Sequence, residues 1–80
     1  MNQNAIIGLA IATAAYNRDW CRDTSFDEMF DDFEEIAKAA QFNLEWTGIR
    51  DYEITTADVA ESLYGLDPDE YEERLKDWAE

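Results

Sequence analysis

SFDEMFDDFEEIAKAA, residues 25–40, divides into two faces when wound at about 100° per residue, the α-helical angle. Phe26, Met29, Phe30, Phe33, Ile36, Ala37 and Ala40 share one arc. Asp27, Glu28, Asp31, Asp32, Glu34 and Glu35 share the other. The spacing predicts one continuous helix that buries its apolar arc and turns a dense carboxylate surface to solvent. Ser25 followed by Glu28 has the capping-box form and marks the start. Lys38 is the first base of the stretch, and its i,i+4 spacing from Glu34 predicts a local ion pair, leaving the acidic arc with no compensating charge.

Upstream, after the short polar start Met1–Asn4, the run Ala5–Tyr16 (AIIGLAIATAAY) is almost wholly apolar. About 20 such residues are needed to cross a bilayer, so the run is too short. Asn2-Gln3-Asn4 lacks the positive charge that opens a signal peptide. The expectation is a central core helix buried on most sides, whose Gly8, Ala10, Ala12, Ala14 and Ala15 let neighbours approach closely. Arg18 and Arg22 are expected near its end, where cations favour the helix dipole. Trp20 and Cys21 are expected to face the core. A single cysteine excludes an intrachain disulfide and reads as a small buried apolar residue.

Downstream, Gln41–Thr55 changes period. Phe42, Leu44 and Trp46 alternate with polar residues, as do Arg50, Tyr52 and Ile54, with Thr47-Gly48 between the two runs and Ile49 fitting neither face. The alternation predicts a small two-stranded β-hairpin, the alternative being an extended loop. Ala57–Tyr64 then reads as a short helix after Thr55-Thr56, with Val59, Ala60, Leu63 and Tyr64 inward and Gly65 as its terminating glycine. Asp67-Pro68-Asp69-Glu70 is a helix start, aspartate capping and proline at the first helical position. This last helix is expected to bury Tyr71, Leu75, Trp78 and Ala79 and to expose Asp69, Glu70, Glu73, Asp77 and Glu80. Glu70–Arg74 and Glu72–Lys76 are spaced as i,i+4 pairs. The fold expected is mainly α: one compact domain over residues 1–80, four short helices packed around the apolar N-terminal one, and a hairpin between helices 2 and 3.

Aromatics make up 14% of the chain, which separates it from disordered acidic tails and supplies a core. Its 20 acids against 6 bases give a net charge of −14, which disfavours direct binding to nucleic acids and anionic membranes. No histidine is present, so the commonest general base and metal ligand is missing. The three glycines are isolated and make no phosphate loop. Asp67 and Asp69 imitate the opening of a calcium loop, but Tyr71 and Glu72 stand where a ligand and a glycine are needed. Glu61-Ser62-Leu63 lies too late in its helix to resemble the attachment site of an acyl carrier protein. No catalytic residue, metal ligand or cofactor site is read, and the expectation is a protein that is not an enzyme.

Carboxylates three and four residues apart on a helix stand about 5–6 Å from one another. Asp27, Glu28, Asp31, Asp32 and Glu35, extended by Asp69, Glu70, Glu73 and Asp77, could therefore present a phosphate-like track to a partner. In size and charge the chain resembles the small acidic phage-encoded inhibitors of the anti-CRISPR and anti-restriction class. That resemblance implies a DNA mimic acting in the cytoplasm of a bacterial host. Its partner would be a basic protein or nucleoprotein complex, such as a nuclease or DNA-binding effector. Length, acidity and helical content also resemble colicin DNase immunity proteins, although Tyr52, Tyr64 and Tyr71 are separated and do not match their paired tyrosines. The remaining alternative is an acidic adaptor whose charge provides only solubility.

Overall fold

A computed structural model describes residues 2–79, the side chains of 78 and 79 excepted. The expectations for Trp78, Ala79 and Glu80 lie outside these described residues, as does Met1. The chain is mainly helical: α1 Gln3–Tyr16, α2 Phe26–Met29, a 3₁₀ turn Phe30–Asp32, α3 Phe33–Trp46, α4 Thr56–Tyr64 and α5 Pro68–Ala79. No strand occurs among the described residues.

α1 is capped by Asn2, whose side chain accepts from the Ala5 N–H at 2.8 Å. It stops at Tyr16 in a Schellman closure. Trp20 N–H reaches the Ala15 carbonyl, Asp19 N–H reaches that of Tyr16, and Asp19 takes φ 64°. The helix is therefore shorter than the expected reach of its basic end. No base lies in its last turn. The closure draws Trp20 half under the surface but leaves Cys21 exposed, correcting its expected burial. Cys21 sits instead in a tight turn, its N–H donating to the Thr24 hydroxyl at 3.0 Å. That hydroxyl also contacts the sulfur and lowers the thiol's pKa.

The stretch 25–40 does not form one helix. Ser25 caps α2 as expected, accepting from the Glu28 N–H at 3.2 Å. The α-helix then gives way to 3₁₀ winding at Phe30–Asp32, flanked by Met29 at φ −98°, ψ −12° and Asp32 at φ −94°, ψ −2°. In a continuous helix Asp27–Asp31 and Glu28–Asp32 would be like-charge i,i+4 pairs, which oppose helix formation. Rewinding also lets three rings converge: Phe26 lies 5.4 Å from Phe30 and 5.3 Å from Phe33.

α3 runs through Trp46, so the first predicted strand is helical. Phe33, Ile36, Ala37, Ala40 and Leu44 are its buried face at helical spacing, and this face outweighs the local alternation. Phe42 and Trp46 point to solvent. Gly48, at φ 96°, ends the helix with its N–H on the Glu45 carbonyl. The second predicted strand is an extended loop. Gln41 takes the place of the missing partner strand: its Oε1 accepts from Ile54 N–H at 2.7 Å, and its Nε2 donates to the Tyr52 carbonyl at 2.9 Å. Ile54 is thereby held in the core.

α1 lies antiparallel along α3. Ile6 and Leu9 meet Asn43 and Thr47 at one end, and Arg18 reaches Asp32 at the other. α4 packs against both, with Val59 and Ala60 fully buried. It starts on a complete Thr55–Asp58 capping box and ends on Gly65 at φ 68°. α5 is capped by Asp67, which accepts from Glu70 N–H at 2.8 Å. It seats through Tyr71, whose ring lies 6.5 Å from Phe26 and 6.3 Å from Phe33. Leu75 is more exposed than expected.

Candidate functional site

The sequence pointed to nine carboxylates: Asp27, Glu28, Asp31, Asp32, Glu35, Asp69, Glu70, Glu73 and Asp77. All are exposed except Asp32, which is half-buried. The 3₁₀ segment changes what they are. It advances the chain about 20° more per residue than an α-helix, so Glu35 no longer lies in register with Asp27. The single straight track expected from 25–40 is broken.

The break also creates new helix starts. Asp27 and Glu28 lie in the first turn of α2, Asp31 and Asp32 in that of the 3₁₀ turn, Glu34 and Glu35 in that of α3, and Asp69 and Glu70 in that of α5. A carboxylate in a first turn faces the positive end of the helix dipole and stabilises its own helix. Asp31, Asp32 and Glu35, expected to lie beyond this local role, fall within it. Of the nine, Glu73 and Asp77 alone stand clear of a first turn.

Two of the carboxylates also meet cations. Arg18 Nη2 is 4.0 Å from Asp32 Oδ1, and Lys38 Nζ is 3.7 Å from Glu35 Oε1. Lys38 therefore pairs within its helix, but with Glu35 rather than the expected Glu34. The acidic arc is not free of compensating charge. Both pairs are solvent-exposed and contribute little, roughly 0–1 kcal/mol each. Neither Glu70–Arg74 nor Glu72–Lys76 is an ion pair among the described residues. Arg74 lies 4.7 Å above the Phe26 ring as a cation–π contact.

That contact fixes where the acids of α5 stand. Glu70, Glu73, Arg74 and Asp77 border one shallow hollow with Leu66. Arg74, which borders this hollow, also covers Phe26, so α5 packs against the first residue of α2. At the start of α5, the Asp67 carboxylate raises the pKa of Glu70, by hydrogen bonding and by its charge, with Glu73 adding to the effect. A raised folded-state pKa means that Glu70 favours the folded state when protonated. Its contribution is present below the ordinary carboxylate value and lost as pH rises through the raised one. Net repulsion has the same sign. The melting temperature is therefore expected to rise as pH falls from 7 to 5. It should also rise as added salt shortens the Debye length from about 30 Å at 0.01 M to 10 Å at 0.1 M. Thermal melts across both ranges check this, and a melting temperature falling along either would show that specific ion pairs outweigh repulsion.

Features that the sequence reading did not single out hold this surface in place. Tyr64 is the main one. Its hydroxyl accepts from Trp20 Nε1–H at 3.1 Å and lies 3.0 Å from the Thr24 and Ser25 carbonyls, to one of which it donates. It ties α4, the end of α1 and the cap of α2 together. Burial, followed by the charge of Glu28, pushes its pKa upward, against the opposing hydrogen bond from Trp20. A concavity of about 630 Å³ lies between α3 and the loop. It is lined by both signs of charge, Lys38 and Arg50 with Glu45, Asp51 and Glu53, and Gln41 on its wall is spent on the loop backbone. Among the described residues no group of His, Cys, Asp or Glu is placed to hold a metal ion, and no helix is long and apolar enough to cross a membrane.

Comparison with protein-family models, curated proteins and solved structures finds no match to this chain.

Proposed function

We propose that this protein is an acidic inhibitor that occupies a basic, nucleic-acid-binding site on a partner protein or nucleoprotein complex, presenting carboxylates where that site takes phosphates. The observation that carries the reading is the seating of α5 on Phe26 through Tyr71 and Arg74. That packing supports the reading by setting α5, which carries Glu70, Glu73 and Asp77, against the residue that opens α2, the helix of Asp27 and Glu28, in a chain of net charge −14. Interfaces of this kind act strongly on association rate and weaken steeply with salt.

A second reading is favoured by the first-turn positions: most of these acids serve their own helices and solubility. Asp31, Glu73 and Asp77 distinguish the two, because none is in an ion pair among the described residues and two stand beyond a first turn. Capture on the immobilised protein from bacterial lysate at low salt, with mass spectrometry, identifies a basic partner. The wild-type chain should then compete with duplex DNA or RNA for it. The variant Asp31→Asn, Glu73→Gln, Asp77→Asn should melt no lower than wild type and bind at least tenfold more weakly. A folded variant that binds and inhibits like wild type would leave the acids as a solvated surface.

A further inference from the structure

Charge on this molecule is segregated. Residues 3–17 carry none, and residues 39–48 carry only Glu45, although the chain holds 20 acids. The same two segments carry the exposed apolar surface. Leu9 is 59% exposed, Tyr16 64%, Phe42 62% and Trp46 77%, and together they are four of the five large exposed hydrophobics among the described residues. Leu9 and Tyr16 lie seven residues apart on one stripe of α1, with Ala12 and Thr13 between them. Phe42 and Trp46 stack edge to face at 6.1 Å on the neighbouring helix. Leu9 and Thr13 of α1 and Asn43 and Thr47 of α3 line a hollow of about 160 Å³ between the two helices, and Phe42 and Trp46 line another with Glu45 and Arg50.

A helix apolar on all sides is ordinarily covered on all sides. α1 has no charged residue, yet only the flank with Ile7, Ala10, Ile11, Ala14 and Ala15 is buried. We propose that a second copy of this chain covers the rest, in a two-fold dimer that sets the α1–α3 face against itself. Two arguments select this occupant. The first is charge: α1 carries none, and the Phe42–Trp46 patch is bordered by one acid and one base, Glu45 and Arg50, so this side lacks the clustered acid that would set two copies at −14 against each other or recruit a basic partner. The second is area. The four side chains leave on the order of 500 Å² of exposed apolar surface, and the small residues between them bring the face near the ~800 Å² per partner of a standard interface. The rigid, stacked Phe42–Trp46 pair costs little ordering entropy and serves as the anchor. The dimer leaves the acidic segments outward, so this proposal stands whether or not they bind a basic partner.

Sedimentation equilibrium on the full chain across the micromolar range tests it. A dimer is expected that tightens as salt screens the net repulsion, the opposite of the salt dependence expected for a basic partner. Trp46→Glu and Leu9→Glu should each weaken the dimer at least tenfold with the helical circular dichroism unchanged, and the milder Trp46→Ala should weaken it less. A wild-type chain that stays monomeric throughout this range at high salt overturns the proposal. So do folded variants that dimerise like wild type, or a monomer whose Trp46→Glu variant loses a different partner.

Discussion

Phe33→Ala is expected to cost about 3–5 kcal/mol, the range for a buried aromatic ring cut back to a methyl. Phe33 is 2% exposed, and it is the residue around which elements distant in sequence meet. Its ring lies 5.3 Å from Phe26, 5.5 Å from Phe30, 6.2 Å from Tyr64 and 6.3 Å from Tyr71. Removing it opens a cavity facing α2, α4 and α5 at once, and relaxation of one wall cannot fill it. In a domain of 80 residues, the loss is a large part of a total stability of roughly 5–15 kcal/mol. Urea denaturation measures it. A cost below about 1 kcal/mol would remove Phe33 from the centre of the core.

Gln41→Leu is expected to cost about 2–3 kcal/mol, although it exchanges a polar side chain for an apolar one of similar size. Gln41 spends both ends of its amide on the loop, accepting from Ile54 N–H at 2.7 Å and donating to the Tyr52 carbonyl at 2.9 Å, with a further bond to Glu45 at 3.2 Å. Leucine leaves the Ile54 N–H and the Tyr52 carbonyl without partners against a packed core, and Ile54 loses what keeps it there. The damage should be local before it is global. Amide exchange at Ile54 should accelerate far more than exchange within α1, and the urea midpoint should fall. Unchanged exchange at Ile54, with a cost under about 0.5 kcal/mol, would mean that apolar burial alone holds the loop.

Several local features were read correctly because each is a contact between residues three or four apart, whereas the exposed i,i+4 ion pairs expected at Glu34–Lys38, Glu70–Arg74 and Glu72–Lys76 are not formed among the described residues. The caps at Ser25 and Asp67, the terminating glycine at Gly65 and the buried spacing Phe33–Ile36–Ala37–Ala40 need nothing beyond the backbone turn they sit on. The 3₁₀ break at Phe30–Asp32 was hidden, since the apolar residues on both sides keep the helical phase. It depends on ring partners, Tyr64 and Tyr71, that arrive from α4 and α5. The hairpin expectation failed for a related reason. Phe42 and Trp46 were grouped with Leu44 because all three alternate with polar residues, yet local alternation does not say which side of a helix the rest of the chain covers. The loop's backbone bonds went to Gln41, a residue with no signature of that role in one dimension. The sequence by itself determined that the chain is helical, strongly acidic and capped at stated points, since propensity, charge and capping act within a turn. Only the tertiary structure decided that the acidic run is broken into helix starts, that α5 seats on Phe26, and that Leu9, Tyr16, Phe42 and Trp46 are left exposed. Those outcomes depend on which surfaces, far apart in sequence, compete to bury the same rings.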